Sequence, residues 1–87
     1  MSWRPYTVDF TDRALRDVDR LDRPLADRLL TAIARYADTG EGDVKRLQGT
    51  EREWRLRVGD WRVLFTLQQG PRLMLVIRVV ARGGAYK

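Results

Sequence analysis

Residues 55–63 read RLRVGDWRV, Arg55 to Val63, and this stretch decides the fold. Gly59-Asp60, with glycine first, predicts a two-residue hairpin turn of type II′ geometry. In the register that turn sets, Val58 opposes Trp61, Arg57 opposes Arg62 and Leu56 opposes Val63. Directly opposed residues share a face of the sheet. Trp54, Leu56, Val58, Trp61, Val63 and Phe65 therefore form an apolar face. Arg57 and Arg62 then stand side by side on the reverse face, with Arg55 two residues away. Opposed like charges destabilise a strand pair. An arrangement that costs stability locally is most simply explained by an anion that binds there during function.

Downstream of the hairpin, Gln69-Gly70-Pro71 marks a second turn and Leu73 to Ala81 a long final strand. Its odd positions, Leu73, Leu75, Ile77, Val79 and Ala81, are all apolar and are expected to line the core. Its even positions alternate to the other side, which adds Arg78 and Arg82 to the face of Arg55, Arg57 and Arg62. Leu64, Met74, Val76 and Val80 lie among those arginines in this reading, so the face is expected to be partly covered by a partner. Upstream of the hairpin, Val44 to Leu47 starts either a strand or a connecting turn around Gln48-Gly49. Lys45 and Arg46 within it either contact nucleic acid or solvate that turn.

The first half of the chain has a different period. Tyr6 to Phe10 reads as a short strand, and Thr11 as a helix N-cap with Asp12 in the first turn facing the dipole. Ala14, Leu15, Val18 and Leu21 recur at helical spacing. Asp22-Arg23-Pro24 ends that helix and starts another, because proline is tolerated in a first turn. Leu25, Leu29, Ile33 and Tyr36 or Ala37 make the second stripe, which ends near Gly40. The polar faces mix Asp and Arg, as solvated faces do. Trp54 and Trp61 fall on the helix-packed face and are expected in the core, and Trp3 and Tyr6 as packing at the sheet edge. The expected fold is α+β: one small domain over residues 1–87, with an N-terminal strand and a helical hairpin on a mostly antiparallel twisted sheet.

Charge follows the same division. The chain has Lys+Arg 17 and Asp+Glu 12, a net charge of +5. Before Val44 the acidic residues outnumber the basic ones; from Val44 onward all the excess is positive, as on a nucleic-acid-binding face. An apolar fraction of 44% suffices for one small core. The absence of cysteine rules out disulfides and thiolate chemistry and fits a cytoplasmic protein. MSWRPYTVDF lacks the apolar run of a signal peptide, and no membrane partner is expected.

Several chemistries are set aside by residue type. Without His or Cys the common zinc sites and the Ser-His-Asp and Cys-His arrangements are absent. There is no GxxxxGK[ST] phosphate loop. The acids of the basic half are Glu51, Glu53 and Asp60, too few for a multi-carboxylate magnesium site. No metal and no cofactor is expected. Arginine cannot act as a base, but it clamps phosphate and stabilises developing charge. Phosphate chemistry then needs another group to move a proton, and Tyr86 in ARGGAYK is the candidate.

The opening YTVDF-T-x-x-A, then DVKRLQG, then WRLRVGDWRVLF, and an Arg four residues before a Tyr at the C-terminus resemble the RelE/ParE toxin superfamily. The resemblance extends from Tyr6 to Lys87, and RxRVGDWRVLF with Arg82 and Tyr86 is its most specific part. It implies a compact toxin encoded with a labile antitoxin that wraps it. The RelE branch cleaves messenger RNA in the ribosomal A site, whereas the ParE branch inhibits DNA gyrase without an RNase site. Arg55 and Arg57 match the basic strand positions used around the scissile phosphate, and Arg62 the arginine that stabilises developing charge. Arg82 matches the C-terminal arginine acting on phosphate or leaving group, and Tyr86 the tyrosine that orients or stacks the substrate nucleotide. The resemblance thus implies a catalytic set of Arg57, Arg62, Arg82 and Tyr86, with Arg55, Arg78, Lys45 and Arg46 binding substrate. The chain departs from the pattern at Arg55 and Arg57, where lysines are common and one can take the 2′-OH proton. It also lacks the histidine that other members use as acid.

Overall fold

The computed structural model describes residues 2–49 and 52–82. Its elements run β1 (Thr7–Phe10), α1 (Asp12–Asp19), α2 (Arg23–Thr39), β2 (Asp43–Arg46), β3 (Glu53–Val58), β4 (Trp61–Gln68) and β5 (Leu73–Ala81). The strands form a single sheet in the order β1-β5-β4-β3-β2. β1 runs parallel to β5, from Thr7 opposite Leu73 to Phe10 opposite Val76, and the other pairings are antiparallel. This is the α+β arrangement expected, and the open segment before the hairpin resolves as an edge strand. Among the described residues no helix is long and apolar enough to cross a membrane.

The helix boundaries follow from capping chemistry. The Thr11 hydroxyl accepts from Ala14 N at 3.1 Å and the Asp22 carboxylate from Leu25 N at 3.1 Å, each satisfying an orphan N–H. α2 ends at Gly40, whose φ of 80° suits only a residue without a side chain. Space makes the same demand: a Cβ there would lie 2.6 Å from the Trp3 ring. α2 lays Leu29, Ile33, Tyr36 and Ala37 onto Leu56, Val63 and Phe65 of the hairpin and Met74, Val76 and Val79 of β5. Trp54 and Trp61 pack against this core as half-buried residues on the helix side.

Two expectations are corrected. Tyr6 is not part of the strand but immediately precedes β1, and beside that edge strand it is buried, 9% exposed. Its N–H donates to Ala37 O at 2.9 Å, its hydroxyl accepts from Gln69 Nε2 at 2.8 Å, and the Arg72 guanidinium lies 3.9 Å from its ring centroid. Trp3 does pack at the edge: it is 38% exposed and its indole N–H donates to Ala37 O.

The second correction concerns β5. Met74 and Val76, not Leu73, Leu75 and Ile77, are fully buried in the first half of the strand, whereas Val79 is the core residue of the second half. The cause is a β-bulge. Phe65 pairs with Val76 but its neighbour Leu64 pairs with Arg78, so Ile77 is one residue too many. An extra residue reverses which side chains face the core from that point on. A strictly alternating strand would have had a single parity; this one changes parity at Ile77.

Candidate nucleic-acid interface

The hairpin has the expected register. Arg57 opposes Arg62, and the turn carries Gly59 at φ 59° with Asp60 outside the positive-φ region, as type II′ requires. Extending the pairing across the sheet gives two cross-strand rows on the face away from α2. One runs Asp43, Arg57, Arg62, Val80, and the next runs Lys45, Arg55, Leu64, Arg78. Arg82 follows Val80 by two residues, and its backbone N–H donates to Asp60 O at 2.7 Å, which ties it to the hairpin turn. The fold therefore gathers Lys45, Arg55, Arg57, Arg62, Arg78 and Arg82 on one side. Met74 and Val76, expected among them, lie instead in the core, while Leu64 and Val80 are on this face and buried.

These cations are not equivalent. Arg55 has a side chain only 12% exposed and is held by Asp43, donating to its backbone oxygen at 3.0 Å and its carboxylate at 3.3 Å. Arg57 is 47% exposed and places Nε 3.1 Å from the other Asp43 oxygen. Asp43 thus lies between two arginines and relieves the repulsion that the opposed pair Arg57–Arg62 creates. The sequence reading missed it. Its signal was available, since continuing the segment read from Val44 one residue back places an acid opposite Arg57.

Arg78 has a separate environment. Its Nε donates to Asp17 of α1 at 2.8 Å, with side-chain exposures of 23% and 10%. The same Asp17 oxygen accepts the Val79 N–H at 2.9 Å. Burial pushes the Asp17 carboxyl upward, but the hydrogen bonds from Arg78 and Val79 and the charges of Arg78 and Arg13 outweigh it, and the net shift is downward. Asp17 is therefore a structural acid and not part of a merely solvated helix face. Arg46 is not brought to the arginine face: it opposes Trp54, and its guanidinium lies 5.1 Å from that ring on the helix side. Lys45 is on the arginine face and exposed. Tyr86 lies outside the described residues.

Chemically, the face offers permanent positive charge from its arginines, with the Asp43 carboxylate and the Lys45 amine beside them. Arg57 and Arg82 are exposed, so a polyanion can reach them without rearrangement of the sheet. Arginines so placed can clamp phosphate and stabilise a phosphorane, and they cannot themselves act as the base.

A family model described as the ParE toxin of the type II toxin-antitoxin system parDE matches residues 8–86. RelE1 of Methanocaldococcus jannaschii is 36% identical over 45 residues, which are 52% of this chain and 50% of that protein, so the match spans half the length of this curated relative. Among solved structures, the toxin-antitoxin complex RelBE2 of Mycobacterium tuberculosis aligns with a TM-score of 0.76 at 25% identity, covering 92% of this chain and 94% of the other. The archaeal RelE-RelB complex of Pyrococcus horikoshii aligns at 0.77 with 22% identity over 94% and 100% of the two chains. The intact RelBE complex of E. coli aligns at 0.74 with 16% identity over 92% and 99%, a likeness of fold. With the family match running through nearly the whole chain and the sheet carrying the same architecture, the protein belongs to the RelE/ParE toxin superfamily of type II toxin-antitoxin systems.

Proposed function

We propose that this toxin is a ribosome-dependent endoribonuclease that cleaves messenger RNA without a metal ion. The observation that carries the reading is Arg57 facing Arg62 across the hairpin, with Arg82 tied to its turn. The ribose 2′-OH attacks the adjacent phosphorus, an O2′–P bond forms, and the P–O5′ bond breaks. The products are a 2′,3′-cyclic phosphate and a 5′-OH. The 2′-OH proton leaves as the bond forms, and the 5′ oxygen gains a proton as it departs. Because the nucleophile belongs to the substrate, the protein contributes orientation and charge, the two largest sources of rate in such a reaction. Arg57, Arg62 and Arg82 neutralise the phosphorane, Arg55 and Lys45 hold the flanking backbone, and Tyr86 moves the proton or stacks the nucleotide. Arg78, engaged with Asp17, contributes field, and Arg46 touches ribosomal RNA from outside the face. A cognate antitoxin of the RelB kind binds the toxin, a reading supported by the toxin-antitoxin complexes that share its fold, and the complex resides in the cytoplasm.

A second reading is inhibition of DNA gyrase, and the family model that matches, that of the ParE toxin, favours it. One preparation tests both. The purified chain is expected to cut transcripts only with ribosomes present, with loss of at least about 10²-fold in Arg57→Ala and Arg62→Ala. Tyr86→Phe is expected to slow single-turnover cleavage without loss of ribosome binding. Inhibition of plasmid supercoiling that survives both arginine replacements, with no cleavage on ribosomes, would establish the gyrase reading instead.

A further inference from the structure

β5 has a strand neighbour on one side throughout, but on the other side β1 ends at Phe10 opposite Val76. The second half of β5, which leads to Arg82, would therefore present a bare edge. α1 occupies that edge. Thr11 N donates to Val76 O at 3.0 Å, the Thr11 hydroxyl donates to Ile77 O at 2.9 Å, and Asp17 accepts from Val79 N at 2.9 Å. These bonds bracket the bulge residue Ile77 on both sides. The bulge matters because it sets the parity of everything after it. Without the extra residue Arg78 would oppose Val63 and Val79 would oppose Arg62, so Arg78 and Arg82 would turn to the helix side. The apolar Val79 and charged Arg78 favour the bulged pairing, yet a strand end hydrogen-bonded on one side only frays. Thr11, the N-cap of α1, and Asp17 within it supply the missing partners there.

We propose that Thr11 and Asp17 are positioning residues for Arg82: α1 clamps the bulged half of β5 and so holds Arg82 beside Arg57 and Arg62. The functional part rests on the reading of Arg82 as a phosphate contact. Neither residue touches substrate; both act through the strand, which is how a group on a strand end is held to the tolerance a charged transition state requires.

The test measures two independent quantities in the full chain. In amide hydrogen exchange, Asp17→Ala is expected to speed the Arg82 amide, which bonds Asp60 on the opposite side of the strand from Asp17, by about tenfold relative to the Leu56 amide in the core. General destabilisation would speed both alike and would overturn the clamp. In cleavage on programmed ribosomes, Asp17→Ala and Arg82→Ala are each expected to reduce the single-turnover rate, and the double variant to be no slower than Arg82→Ala alone. Effects that multiply in full would overturn action through Arg82. Thr11→Val is expected to reproduce both results from the other side of the bulge and Thr11→Ser to restore them, which keeps the test open should Asp17→Ala fail to fold. If Arg82→Ala cleaves at the wild-type rate, the proposed use of Arg82 is wrong, while the exchange measurement still decides the clamp.

Discussion

The two faces of the β3–β4 hairpin are built by opposite means from alternate residues of the same strands. Toward α2, Leu56, Val63 and Phe65 are 2%, 0% and 0% exposed and their placement is fixed by packing. Away from it, Arg55 and Arg57 are held by the Asp43 carboxylate, and Arg62 stands opposite Arg57 in the strand register. A face held by packing loses stability when altered. A face held by charge is expected to keep its fold when altered. The difference teaches that the arginine face can be changed with little effect on the scaffold.

The sharpest break in that contrast should come from the packed side. Phe65→Ala removes a side chain with no solvent exposure and is expected to destabilise the domain by about 3–5 kcal/mol, read as a lower denaturant midpoint. A loss below about 1 kcal/mol would mean that the helix-facing side is not the core. Arg57→Ala and Arg62→Ala should alter unfolding free energy by no more than about 0.5 kcal/mol, with a melting midpoint unchanged or raised. The Arg57–Asp43 pair is nearly half exposed, so its loss costs little, and relief of the opposed charges offsets it. A large stability loss in both variants would make these arginines structural and erase the distinction between the faces.

The smallest effect lies where the two sides meet, at Asp17. Its carboxyl titrates below the ordinary 3.8 in the folded chain, so it contributes stability that is complete above that value and disappears as pH falls through the lower folded pKa. Asp17→Asn should therefore show a shallower decline of melting temperature below about pH 4 than the wild type. Parallel acid limbs would show that the Arg78 contact adds nothing to folding.

What the sequence made legible was whatever depends on neighbours in the chain. Gly59-Asp60 set the hairpin register, Thr11 and Asp22 announced the helix starts, and Gly40 the end of α2. The opposition of Arg57 and Arg62 followed from counting. The bulge at Ile77 was illegible because Leu73 to Ile77 is apolar at every position, odd and even, so both parities satisfy the pattern there. Asp17 was hidden for the same reason: on its helix it is one more acid among arginines, and only β5, sixty residues on, gives it a purpose. Arg46 was grouped with Lys45 by adjacency, although neighbours on a strand face opposite ways.

The parallel pairing of β1 with β5 has a consequence in time. β5 occupies the interior of the sheet, between β1 and β4, yet it is the final strand in chain order. During synthesis β1, both helices and the hairpin emerge before the strand that joins them, so the sheet cannot close until residues 73–81 have left the ribosome. Contacts of this sequence separation make folding slow and late. Arg78 and Arg82 join the other arginines only at that last step. A nascent copy thus carries no assembled arginine face until the last strand of the sheet is in place.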